Sequence, residues 1–60
     1  MFRDSADRYH EAQTLVRLGD TLAAMDDRAA GQDAWRQATE IYDSLGDPAA
    51  DDTRNRLAQR

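Results

Sequence analysis

Two helical phrases, Leu15-Val16-Arg17-Leu18-Gly19 and Ala34-Trp35-Arg36-Gln37-Ala38, are joined through the polar break Met25-Asp26-Asp27-Arg28, and the stretch from Leu15 to Tyr42 decides the fold. On its N-terminal side, apolar or small residues recur at Tyr9, Ala12, Leu15, Val16, Leu18, Gly19, Leu22, Ala23 and Met25, in steps of three and four. That period belongs to a helix. The stripe is wider than one neighbour requires, so contact with a helix on each side is expected. Gly19 falls in mid-helix, where glycine costs about 1 kcal/mol relative to alanine. Its use is therefore read as a notch for the close approach of another backbone.

After the break, Asp27 is placed to cap a second helix, because its short carboxylate can accept from the free amides of a first turn. Gly31, Ala34, Trp35, Ala38, Ile41, Tyr42 and Leu45 fall on one side of that helix, and Gln32, Asp33, Arg36, Gln37, Glu40 and Asp43 on the other. A connection this short makes the two helices antiparallel neighbours. Small residues at 31, 34 and 38 would lie against the Gly19 face, with Trp35 as the large filler and its N–H directed to water or a carbonyl.

Working outward, Asp7 is the expected cap of the first helix and Glu11 adds charge that suits the helix dipole. Downstream, Ser44-Leu45-Gly46-Asp47-Pro48 is strong punctuation: a left-handed glycine, a capping aspartate and a proline suited to a first turn. A third helix follows, with Asp51 and Asp52 early and Arg54, Arg56 and Arg60 late. Its apolar face is thin, consisting of Ala50 and Leu57 with Thr53 and Ala58. The expectation is an all-α chain with helices at about 8–25, 28–45 and 48–59. Residues 1–7 are either a frayed end or the tail of a preceding repeat, 8–45 form one complete hairpin, and 46–60 form a capping helix or the start of a further repeat.

Composition bounds the function. A chain of 60 residues buries only about 60% of the surface that its unfolded form exposes, so its stability alone is marginal. With no Cys and one His it lacks disulfides and thiolate metal sites. Charged residues make up 33% of it, interleaved by sign with a net charge of −4, which lacks the basic footprint of nucleic-acid binding. No apolar run approaches the ~20 residues of a bilayer span, and no signal-peptide core follows Met1. A cytoplasmic location is expected.

His10 with Asp7 and Glu11 has helical spacing that could hold a metal, but an exposed helix histidine is the commoner case. Asp26-Asp27 and Asp51-Asp52 resemble acid–base pairs, yet capping and first-turn placement account for them. Trp35 and Tyr42 have the period of core residues rather than of a ligand grip. Neither a phosphate loop nor a Ser/His/Asp arrangement is present. No enzymatic activity and no cofactor is expected. A small metal- or nucleotide-dependent enzyme is the outlying alternative.

Set over residues 41–47 at a period of 40, residues 1–7 pair apolar Met1 with Ile41, aromatic Phe2 with Tyr42 and Asp7 with Asp47, with Ala6 standing where the second copy has Gly46. Without that glycine, the first helix could run on unbroken from Arg3. Leu15, the Leu18-Gly19 pair, Leu22, the turn at Asp26-Asp27, Trp35 and Ala38 resemble the signature of a tetratricopeptide repeat, a helix-turn-helix unit that stacks into solenoids. The stretches Leu-Gly-Asp-Thr-Leu-Ala-Ala, Ala-Trp-Arg-Gln-Ala and Ile-Tyr-Asp-Ser-Leu-Gly-Asp-Pro are similar to the C-terminal repeats of actinobacterial transcriptional regulators. Arginine without lysine, and abundant alanine, suit a GC-rich genome.

The resemblance covers about residues 9–57. It departs at Asp26, where the repeat usually has a turn glycine, and at Gly31, where it usually has alanine. It implies a protein–protein interaction module whose concave strip is Gln13, Val16, Asp20, Ala23 and Ala24, and whose partner is a protein or peptide. The Lys and Asn of a carboxylate clamp are absent there. The alternative is self-association, with Tyr9, Val16, Leu22, Met25, Trp35 and Leu57 as contacts in a symmetric dimer.

Overall fold

The computed structural model describes residues 5–58 and is all-α, with no strand among them. Helix α1 spans Ser5–Ala24, α2 spans Arg28–Leu45 and α3 spans Ala49–Ala58. Residues 1–4 of the internal match, and the expected helix end at Gln59, lie outside the described residues. The second helix has the expected bounds. The first does not start at an Asp7 cap: residues 5–7 are already helical, and Asp7 sits in the first turn, where its charge still suits the positive end of the dipole. Ala6, unlike a glycine, gives the backbone no reason to leave the helix there.

The two connections are copies of one device. At the end of α1, the Asp27 amide donates to Leu22 O (2.9 Å) and the Asp26 amide to Ala23 O (3.1 Å). At the end of α2, the Asp47 amide donates to Tyr42 O (2.9 Å) and the Gly46 amide to Asp43 O (3.0 Å). Both are Schellman endings, which need a left-handed residue after the helix. Gly46 provides it at φ 67°, and Asp26 provides it at φ 66°. The next residue in each turn is an aspartate that caps the following helix: Asp27 Oδ1 accepts from the Ala30 amide (3.4 Å) and Asp47 Oδ1 from the Ala49 amide (2.9 Å).

Because a side chain strains the left-handed backbone and aspartate relieves only part of that strain, Asp26→Gly is expected to raise stability. The gain is roughly 0.5–1 kcal/mol after glycine's greater unfolded-state entropy is subtracted. Thermal unfolding followed by circular dichroism checks this, and an unchanged or lowered midpoint would refute the strain argument.

The contacts run in opposite directions along α1 and α2, with Tyr9 against Tyr42 at one end and Ala23 against Gly31 near the other, so the pair is an antiparallel hairpin. At the crossing the helices nearly touch. A Cβ built on Gly19 would lie 2.9 Å from Gly31 O, and one built on Gly31 would lie 2.9 Å from Gly19 O. The notch read at Gly19 is thus two glycines facing each other. Ala12, Ala38, Ile41, Tyr42 and Ala50 form the buried core, flanked by Leu15, Val16, Leu45 and Ala49. Its alanines are what let three short helices pack so closely.

Helix α3 lies mainly on α2, joining the core through Ala49 and Ala50 and adding a polar attachment beside them. The Thr39 and Thr53 hydroxyls meet in the interior at 2.6 Å, Thr39 also reaches Trp35 O (2.8 Å), and Thr53 reaches Ala50 O (2.9 Å). Each hydroxyl has one proton and more than one acceptor within reach, so both donors are satisfied without water. Outside that pair, Arg54 bridges Asp43 and Asp51, and Arg56 bridges Asp20 and Asp52. These bridges are solvated, so each adds little to stability and is weakened by salt.

Candidate interaction faces of the first helix

Helix α1 packs on α2 through Ala12, Gly19 and Ala23, and this direction leaves its two flanks uncovered to different degrees. On one flank Leu15, Leu18, Leu22 and Met25 follow at steps of three, four and three, which sets them in one line. Leu15 and Leu22 are half-buried, but Leu18 is 48% and Met25 71% exposed. Met25 extends the line past the last helical residue because its amide still donates to Thr21 O (3.0 Å). The periodicity of the sequence had absorbed Leu18 into the packing stripe. Only the direction taken by α2 shows that it faces outward.

On the other flank lies an open groove of about 340 Å³, lined by His10, Gln13, Thr14, Val16, Arg17 and Tyr42. Val16 supplies an apolar wall, and the Thr14 hydroxyl is turned back onto His10 O (3.1 Å). Arg17 forms no ion pair among the described residues, and no carboxylate lines the groove although 12 of the 60 residues are acidic. Tyr42 is buried against α1, its ring edge-on to Tyr9 at 5.7 Å and 63°. That burial pushes its hydroxyl pKa up, and Tyr9 and Asp47 act in the same direction.

The expected concave strip is therefore divided. Gln13 and Val16 line the groove, Asp20 and Ala24 are exposed further along, and Ala23 is turned toward Gly31 in the helix crossing. Asp20 also has an internal duty. Its Oδ1 accepts from Trp35 Nε1 (3.1 Å) and from Arg56 Nε (3.1 Å), so one carboxylate oxygen joins all three helices. The Trp35 N–H thus ends on a carboxylate rather than on water or a carbonyl, a pairing between residues too far apart in sequence for local spacing to reveal. Hydrogen bonds to Asp52 and Asp20 hold the Arg56 guanidinium yet more firmly charged.

The suggested self-association residues do not share a face. Tyr9 is 40% exposed beside Tyr42, Leu22 and Met25 belong to the leucine line, Trp35 rests over Gly19, and Leu57 is half-buried on α3. Among the described residues, no group of three or more His, Asp or Glu side chains could hold a metal ion, and no helix is long and apolar enough to cross a membrane. No family model matches the chain, and no curated protein or solved structure does.

Proposed function

We propose that this chain is a protein–protein interaction module of tetratricopeptide type, part of a transcriptional regulator, that docks a neighbouring helix on the line Leu15, Leu18, Leu22 and Met25. The observation that carries this reading is the outward position of Leu18 and Met25 on a face already half-formed by two further leucines. Four large apolar side chains at alternating steps of three and four make the seam that a partner helix fills with its own side chains. Burying the exposed parts of such a seam contributes about 25 cal/mol per Å² before the cost of association is subtracted. The two Schellman turns and the glycine crossing support the repeat reading, since they shape a short hairpin that cannot cover both of its own sides.

Photo-crosslinking in cells tests it. A benzophenone amino acid at Leu18 is expected to yield one discrete protein adduct, whereas the same group at exposed Arg36, on the polar side of α2, yields none. Adding Met25→Glu should remove the Leu18 adduct. Adducts of equal yield at both positions, or none at Leu18, would leave the reading without support.

A further inference from the structure

The flank that holds the groove carries a second line, mostly polar, with Arg17 and Asp20 as its charged pair. His10, Gln13, Arg17, Asp20 and Ala24 follow at steps of three, four, three and four, and all five are exposed. That spacing is the heptad pattern, which keeps a row of side chains facing a single partner helix along its whole length. The line's one cation, Arg17, precedes its one carboxylate, Asp20, with the imidazole of His10 toward the start of α1 and two more carboxylates in the exposed turn Asp26-Asp27 just past its end.

We infer that this face docks a second copy of the chain, with the two α1 helices antiparallel across a two-fold axis between Arg17 and Asp20. In an antiparallel pair, each step up one helix is a step down the other. The register that sets Arg17 opposite Asp20 of the second copy therefore also sets Gln13 opposite Ala24 and His10 opposite the Asp26-Asp27 turn. The two-fold axis forms every one of these pairings twice.

Each element of the match is present in the single chain. Arg17 has no ion-pair partner among the described residues, and both of the Asp20 hydrogen bonds shown use Oδ1, so Oδ2 is still able to accept from a second guanidinium. Ala24 is the small residue at the point where the Gln13 side chain of the other copy must fit, and the groove beside Val16 and Tyr42 receives the other copy's acidic turn. The parallel arrangement is disfavoured, because it would align Arg17 with Arg17 and Asp20 with Asp20. This face is distinct from the leucine line, so the inference stands apart from the function proposed above.

The absence of cysteine allows a direct register test. Gln13→Cys and Ala24→Cys are made as separate proteins, mixed in equal amounts and equilibrated in a glutathione redox buffer. The mixed disulfide is expected to exceed each homodimer by about tenfold, since only the mixed pair brings the two sulfurs within bonding distance. In the cysteine-free chain, sedimentation equilibrium is expected to show a dimer. Arg17→Glu should weaken that dimer by roughly ten- to thirtyfold while helicity by circular dichroism is unchanged, because two ion pairs become two repulsions.

Disulfides in statistical proportion, no association at millimolar concentration, or a dimer indifferent to Arg17→Glu would each overturn the inference. Leu18→Glu should leave the disulfide ratio as it is. If Leu18→Glu abolishes the mixed product, the copies meet through the leucine line, and this inference fails while the proposed docking line survives.

Discussion

Gly19→Ala is expected to lower the stability of this protein by roughly 2 kcal/mol, about 10 °C in the unfolding midpoint of so small a domain. In an exposed helix the same change would stabilise by about 1 kcal/mol, so even the sign depends on tertiary structure. A methyl group at Gly19 would lie 2.4 Å from both Cδ1 and Nε1 of Trp35 and 2.9 Å from the carbonyl oxygen of Gly31. The indole could swing away, though only by giving up its hydrogen bond to Asp20. The Gly31 carbonyl belongs to the backbone of α2 and moves only if the helices separate. Separation opens the alanine-rich core, where Ala12 and Ala38 have no long side chains with which to refill the gap.

Thermal melts by circular dichroism measure the loss, and Trp35→Leu in the same chain should restore part of it, because it removes one of the two clashes. Full restoration by Trp35→Leu would show that the indole alone sets the limit. A Gly19→Ala chain as stable as the parent would show that the helices do not approach as closely as described.

Tyr42→Ala is expected to abolish cooperative folding at room temperature. Tyr42 is the largest side chain of the buried core, packed among Ala12, Ala38, Ile41 and Ala50 and edge-on to Tyr9. Removing an aromatic side chain from such a place costs about 3–5 kcal/mol, as much as a domain of this size has in total. The neighbours are mostly alanines, which cannot lean into the cavity. Tyr42→Phe separates ring from hydroxyl and should stay within about 1 kcal/mol of the parent, since it keeps the aromatic contact. Loss of the far-ultraviolet helical signal in Tyr42→Ala and its retention in Tyr42→Phe are the expected pair of results. A cooperative melt in Tyr42→Ala would mean that the hairpin is held elsewhere, with the Thr39–Thr53 contact as the next region to probe.

Much of the local architecture was legible in the chain itself. The steps of three and four between residues 9 and 45 determine two helices, and the pairs Asp26-Asp27 and Gly46-Asp47 determine where they end, because capping is chemistry between near neighbours. The glycine at position 19 also announced a close approach, since nothing else offsets its cost in mid-helix. The start of α1 departs from the expected Asp7 cap because a capping aspartate and a first-turn aspartate look alike in sequence; Ala6, where the second copy has Gly46, is the residue that separates the two cases.

What only the tertiary structure decided is which neighbour each flank of α1 receives. Periodicity places Leu15, Leu18, Leu22, Val16 and Ala23 on a broad stripe, but α2 occupies a limited arc of it. The arc it takes follows from where the two glycines let the backbones meet. That choice turned Leu18 and Met25 outward, brought Asp20 under Trp35 and Arg56, and buried Thr53 against Thr39. Each of these joins residues 14 to 36 positions apart, or leaves one without a neighbour, and a helix period measured along the chain carries no information about either.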